Sequence, residues 1–434
     1  MAKLNPTQLG KGGLFIFFII FPFAIPAQAE EKKVHVISYN GVINPVAAEY
    51  ISKAISTAEE DRAEALVIQL DTPGGLDQSM RIIIKEMNAS SVPVLVYVSP
   101  TGARAASAGV FITMAAHVAA MAPGTNIGAA HPVALGGGEM DSEMVKKVEN
   151  DAAAYIKSIA QKHHRNEEWA EKAVRESVSV TEEEALKLNV IDLIAENLTS
   201  VLDNIEGREV STSAGPQTLH TKGKDLKTFE MGTRFKILQA LSDPNIAFLL
   251  MSLGMIGLFF ELSNPGLILP GVVGAISLIL AFYSFQTLPI NYAGLLLMIF
   301  GLILFIAEIK IISYGLLSVG GVISMVLGSI MLVDSDVPFL KISLSVIIPV
   351  VLSMALFFAI AIQLALKAHK RKPVSGKEAL IGLTGLADTK IFEDGKVSIH
   401  GELWDAVSQT PIPKGEEVEV LQVNGLRLQV KKRI

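Results

Sequence analysis

Three stretches of the chain carry residue types that suit hydrolytic chemistry, and Ser107 lies in the first, Ala105-Ala106-Ser107-Ala108-Gly109, directly after the apolar run Pro93 to Val98. A β-rich run, a small-residue turn and a helical pattern from Gly109 to Ala116 predict a strand-turn-helix unit with Ser107 near the helix start. Unpaired amides and the positive dipole end at a helix N-terminus stabilise negative charge, so the Ala108 N–H could face an oxyanion while Ser107 attacks a carbonyl. The small neighbours leave the backbone open to an extended peptide. The same serine reads equally as the N-cap of an alanine-rich helix.

The second stretch, Asp71-Thr72-Pro73-Gly74-Gly75, ends the apolar run Ala65 to Leu70. Sites in α/β sheets favour such strand ends, and two glycines can turn an amide toward a ligand, so Gly75, with Gly74, is the candidate second oxyanion donor. The third supplies a base. Lys147, in Met144-Val145-Lys146-Lys147-Val148, needs an apolar pocket to bring its pKa from about 10.4 toward neutrality. Its rival is His131 in Gly128-Ala129-Ala130-His131-Pro132, since imidazole as a class is a base near neutral pH without special burial. The residues alone leave the choice open. The chain has no cysteine, which excludes a disulfide, a thiolate zinc site and a Cys nucleophile. No cofactor or metal is expected.

The elements that position these residues begin with an alternating region, Val34 to Asn204, in which apolar strand-like runs (Val34 to Ser38, Ala65 to Leu70, Pro93 to Val98, Val118 to Met121) separate helical patterns (Val46 to Ala58, Leu76 to Met87, Asp141 to Gln161). This predicts an α/β domain with a buried sheet. Thr181 to Glu184 reads as a capping box. Gly207 to Lys227, rich in Gly, Ser, Thr and Lys, reads as a linker or an irregular strand pair, in a boundary region spanning 207–243.

Half of the 434 residues are hydrophobic and the mean hydropathy is +0.44, so part of the chain belongs in lipid. Lys3 and Lys11, the apolar run Leu14 to Ile25 and Ala27-Gln28-Ala29 match a secretory signal over 1–29, followed by an α/β domain over 30–206. Five apolar stretches between 244 and 367 are each long enough, at roughly 20 residues, to span a bilayer; of these, Leu267 to Phe285 could be re-entrant at Pro270-Gly271. The basic run Lys367 to Lys372 puts the C-terminal end in the cytoplasm, and an odd number of spans then puts the α/β domain outside it. Glycines such as Gly271, Gly274, Gly320 and Gly321 predict close helix packing, and Glu261 and Glu308 read as interfacial carboxylates. Residues 374–434 hold about five short strands, with Asn424-Gly425 a hairpin signal, and predict a small OB-type barrel. A net charge of −6 and the lack of any recognition motif point away from nucleic acid.

Together with Met121 to Gly128, Lys147 with Asn150-Asp151, Glu183 to Leu186, Val190 to Asp192 and Asn264-Pro265-Gly266, these motifs resemble the long form of the NfeD membrane proteins. The resemblance implies a ClpP/crotonase-like α/β domain of the ClpP serine protease class, a transmembrane helical bundle and an OB-type NfeD domain. It implies a Ser-Lys dyad of Ser107 and Lys147, with the Gly75 and Ala108 amides as oxyanion hole. It further implies a stomatin-like (SPFH) membrane protein as substrate and partner, cleavage of hydrophobic segments, contact with membrane lipid, and a homo-oligomer of at least two copies. His131 falls close to where soluble ClpP peptidases place a catalytic histidine. Two other readings compete: a non-catalytic scaffold for the stomatin-like partner, and acyl-CoA chemistry, which would need neither this serine nor this lysine.

Overall fold

The computed structural model describes residues 32–133, 141–263, 266, 268–286, 288–311, 313–335, 340–369 and 377–433. The expected signal segment 1–29 and Asn264-Pro265 lie outside the described residues. The chain divides into two compact units, with the main division between residues 239 and 240 of the sequence.

The first unit begins β1 (Val34–Asn40), α1 (Pro45–Glu60), β2 (Ala65–Asp71), α2 (Asp77–Ala89), β3 (Val94–Val98), β4 (Arg104–Ala106), α3 (Ala108–Met114), β5 (Val118–Met121) and β6 (Asn126–Gly128). It continues with α4 (Ser142–Lys162), α5 (Glu167–Arg175), β7 (Ser179–Thr181), α6 (Glu182–Lys187), β8 (Leu193–Ile194) and α7 (Leu198–Asn204). Side-chain caps fix several helix starts: Asn44 accepts from the Ala47 amide at α1, Asn166 from Trp169 at α5, and Thr181 and Glu184 close the expected capping box at α6.

The main sheet is six-stranded and parallel; its edge strand β11 (Leu226–Thr228) is followed in order by β1, β2, β3, β5 and β8. Alternation along its strands sends Ile37, Ile68 and Val96 into the larger core, beneath α1 to α5. Val36, Val67 and Tyr97 face a smaller core that α7 closes. A second sheet, β4-β6-β7, stands beside the ends of β2 and β3.

Of residues 207–243, expected as a linker, 207–239 are folded into this unit. The segment forms the hairpin β9 (Glu209–Thr212) and β10 (Gly215–Thr218), the edge strand β11 and α8 (Thr233–Leu241). β11 pairs in parallel with Val34 to Val36, while Val210 and Leu219 fill the smaller core and Phe235 the larger. The strand-pair reading of Gly207 to Lys227 was therefore the nearer one.

In the second unit, α9 (Pro244–Ser263), α10 (Ile268–Phe285), α11 (Tyr292–Lys310), α12 (Leu316–Met331) and α13 (Leu344–His369) coincide with the five expected spans. Pro244–Leu262 and Ile268–Phe285 are long and apolar enough to cross a membrane, and the other three contribute shorter apolar stretches. α10 runs unbroken through Pro270 and Gly271, so no re-entrant break is present there; a proline in a first helical turn forfeits no helix bond. The helices pack through glycines as expected. A Cβ at Gly257 would stand 2.6 Å from the Gly274 Cα, and one at Gly328 2.7 Å from the Gly294 oxygen.

Glu308 is more specific than an interfacial carboxylate. It is buried and accepts from Ser313 Oγ at 2.6 Å and from the Gly315 and Ser318 amides, closing the start of α12. Beyond the bundle, β12 (Thr384–Ala387), β13 (Lys396–Ile399), β14 (Glu402–Val407), β15 (Glu417–Asn424) and β16 (Arg427–Lys432) close into the five-stranded barrel that the sequence predicts. Val397, Ile399, Val418, Val420, Leu428 and Val430 fill it.

Candidate active site

Ser107 stands between β4 and α3 with φ 51° and ψ −114°, a backbone state that a residue with a Cβ rarely adopts. Neighbouring structure holds it there. The Ser107 amide donates to the Gly128 oxygen at 3.1 Å, and the Val110 amide donates to the Ser107 oxygen at 3.0 Å. Its hydroxyl does not cap the helix and has no hydrogen-bond partner among the described residues. The N-cap reading therefore fails on geometry: an N-cap needs extended φ and ψ and an accepting side-chain oxygen, and Ser107 has neither.

The segment Thr72 to Leu76 runs alongside Ser107, held from both flanks. Thr72 exchanges backbone bonds with Arg104 and Ala106 on the β4 side, while Gly74 and Leu76 bond Ile43 on the other. The Gly75 N–H takes no part in this bridge, whose bonds run from the Ile43 amide to the Gly74 oxygen and from the Leu76 amide to the Ile43 oxygen. The Gly75 and Ala108 amides have no acceptor among the described residues. The Gly74 amide differs, being spent on Thr72 Oγ1 at 3.0 Å. Of the two glycines, only Gly75 has a donor to offer; Gly74 instead supplies space. A Cβ there would stand 2.6 Å from the Ser107 Cβ, and its φ of +118° suits glycine alone.

His131 has a structural engagement. Its Nδ1 lies 2.9 Å from the Val174 oxygen in the last turn of α5, next to the Ala130 amide, which donates to the Ala173 oxygen. A ring that donates from Nδ1 keeps its other nitrogen as an acceptor, and the partner that orients it is a backbone carbonyl and not an acid.

Lys147 is exposed on the second turn of α4, with no hydrogen bond or ion pair among the described residues. The apolar pocket that the sequence argument required is therefore not formed around it; Met144 and Val148 beside it are exposed as well. Its level along the helix can still be read from the ties between helices. Phe111 of α3 stacks on Tyr155 of α4, and Arg165, just past α4, bonds the Met114 oxygen at the end of α3. Arg81 and Asn88 of α2 bond Asp151 and Lys162 of α4 in the same order. The three helices thus run parallel, all starting at the end of the sheet where Ser107 and Gly75 lie. At about 1.5 Å per residue, Lys147 precedes Tyr155 by about 12 Å and Ser107 precedes Phe111 by about 6 Å. Measured along the helices from the Phe111–Tyr155 contact, Lys147 is therefore about 6 Å farther out than Ser107.

A separate cavity of about 340 Å³ opens at the C-terminal ends of β1 to β3, lined by Asn40, Gln69, Asp71, Tyr97, Glu196 and Leu198 among others. Tyr97 belongs to the smaller core, so this cavity is on the sheet face away from α2 to α4 and does not include Ser107. Among the described residues no cluster of His, Asp and Glu could hold a metal ion.

The architecture joins an α/β domain with a parallel sheet to a set of apolar helices and a closed five-stranded barrel, and comparison identifies the family. Residues 33–209 match the N-terminal domain of NfeD1b, residues 245–364 the NfeD integral membrane domain, and residues 377–432 the NfeD-like C-terminal, partner-binding domain. The chain belongs to the NfeD family. It is similar to the membrane-bound protease PH1510 of Pyrococcus horikoshii, at 36% identity over 427 residues, 96% of this chain and 97% of that one. It is also similar to the membrane protein NfeD1b of Bacillus subtilis, at 27% identity over 99% of this chain and 100% of the other. Among solved structures, the 1510-N membrane-bound stomatin-specific protease, a lysine-to-alanine mutant in complex with a substrate peptide, matches 49% of this chain and 98% of its own. The TM-score is 0.46 and the identity 34%.

Proposed function

We propose that this chain is a membrane-anchored serine endopeptidase that cleaves hydrophobic segments of a membrane-associated, stomatin-like partner. Its similarity over nearly the whole length to a membrane-bound protease supports the class. The observation that carries the reading is Ser107 itself. A side chain held in a sparsely populated backbone state costs stability, and here it presents a hydroxyl with no hydrogen-bond partner among the described residues.

In the proposed reaction Ser107 Oγ attacks the scissile carbonyl and gives its proton to the neutral Lys147 amine. The oxyanion forms against the Gly75 and Ala108 amides; its collapse breaks the C–N bond, and the leaving amine takes the proton held by Lys147. Water, deprotonated by the same lysine amine, then hydrolyses the acyl-enzyme, and the proton returns to Ser107. Substrate binding over α3 would bring the lysine-bearing turn inward and desolvate its amine. His131, oriented by the Val174 carbonyl, is the alternative base. The α/β domain faces outside the cytoplasm and the barrel inside it, the barrel holding the partner and the anchored domain meeting a segment at the lipid surface. A homo-oligomer of at least two copies completes the assembly.

The test is cleavage of a stomatin-like protein co-reconstituted with the full chain in vesicles. Ser107→Ala and Lys147→Ala each abolish it, while His131→Ala retains most. Full cleavage by Lys147→Ala would reject the lysine as base, and full function with Ser107→Ala would favour the scaffold reading.

A further inference from the structure

Arg81 sits where the three helices that carry the candidate site meet. On α2, one turn after Asp77, it donates Nε to Asp77 at 2.8 Å and Nη2 to Asp151 of α4. Its guanidinium lies 4.2 Å from the centre of the Tyr155 ring, and Tyr155 in turn stacks on Phe111 of α3. α2 starts just after Gly75, α3 just after Ser107, and α4 carries Lys147 one turn before Asp151. One side chain therefore joins the backbones that bear the donor, the nucleophile and the base. An arginine suits this position because its planar fork can bond two carboxylates while its face packs on an aromatic ring.

Asp151 is placed at i+4 from Lys147, the spacing at which a helical carboxylate and amine form an ion pair. It bonds Arg81 instead. We propose that Arg81 is a positioning residue for Lys147: it clamps α4 against α2 and occupies Asp151, so that this carboxylate does not capture the lysine. The inference rests on Lys147 as base. An amine paired with Asp151 would hold its proton to higher pH and make a poorer acceptor for the Ser107 proton. Of the other charges around this turn, Glu149 is bonded by Arg175 of α5 and Asp77 by Arg81; Glu143, four residues before Lys147, and Lys146 are exposed on α4 and form no ion pair among the described residues, and α3 contributes no titratable side chain.

The test uses the full chain in detergent and follows the rate at which a fluorophosphonate labels Ser107 as a function of pH, which requires no knowledge of the substrate. Arg81→Met is expected to move the lower limb of the profile up by about one pH unit, which lowers labelling near neutrality roughly tenfold. Adding Asp151→Asn to Arg81→Met should return the limb to the wild-type position even if the overall rate stays low. A folding defect cannot mimic that return, because the double variant keeps the Arg81 lesion. An unchanged limb in Arg81→Met, or a limb that stays displaced in the double variant, would overturn the proposal. Lys147→Ala separates the two claims. If it labels at the wild-type rate the base assignment fails, and if it does not label while Arg81→Met keeps the wild-type limb, only the role of Arg81 fails.

Discussion

Gly74 and Ser107 approach so closely that no side chain fits between them: a Cβ on Gly74 would lie 2.6 Å from the Ser107 Cβ and 3.1 Å from its Oγ. The strand end after β2 and the turn before α3 are thus fitted to each other at Gly74 and Ser107. A glycine is required by both space and φ.

Gly74→Ala is therefore expected to displace Ser107 or the Gly75 amide and to lower turnover by about two orders of magnitude, the size of effect seen when an oxyanion donor is lost. Steady-state cleavage measured beside a thermal melt checks this. A variant that keeps the wild-type rate would show that the two strands yield without cost.

The strain at Ser107 has its own signature. Ser107→Gly and Ser107→Ala both lack the hydroxyl and should both be inactive, but only glycine is at ease at φ 51°. Ser107→Gly should exceed Ser107→Ala in stability by about 1 kcal/mol, read as a higher Tm or denaturant midpoint.

Acid sensitivity should come in part from His163. Burial, with help from Arg165, His117 and Lys162, pushes its pKa down from 6.5 to about 3. The unfolded chain then binds a proton that the folded chain refuses, so the neutral ring's contribution is whole above pH 6.5 and is lost as pH falls toward 3. His163→Gln, which can still meet Asn88 as a donor, should flatten the dependence of Tm on pH across that window. An equally steep fall in the variant would assign the sensitivity to other groups.

Replacing 209–228 with a flexible Gly-Ser segment should destabilise the first unit severely, because it removes β11 from the sheet and Val210 and Leu219 from the smaller core. Unfolding followed by near-UV circular dichroism on the soluble part of the chain would show it. A genuine linker would tolerate the exchange.

That region also shows where sequence reasoning ends. The buried strands, the capped helices, the apolar spans and the barrel were legible because burial writes a periodic apolar pattern and caps write a local polar one. β11, Leu-Lys-Thr, is an exposed edge strand whose backbone alone joins the sheet, so no alternation marks it. β4, Arg-Ala-Ala, is too short to show a period. Ser107, Gly75 and Ala108 could be named from strand-turn-helix context. The positive φ of Ser107 could not, since nothing about a serine announces it. Arg81 was missed because its partner Asp151 is 70 residues away and both look like ordinary solvated helix residues. The expected pocket around Lys147 rested on Met144 and Val148 being apolar, which fixes what a face can bury but not whether anything covers it.

The central claim is that Ser107 is a nucleophile activated by Lys147, and mass spectrometry of the chain after brief fluorophosphonate exposure at neutral pH tests it most directly. The account predicts a single covalent adduct on Ser107 in the wild-type protein and loss of at least nine-tenths of that adduct, as an order-of-magnitude expectation for removing a general base, in Lys147→Ala. Full labelling of Lys147→Ala, or an adduct on a residue other than Ser107, would contradict it.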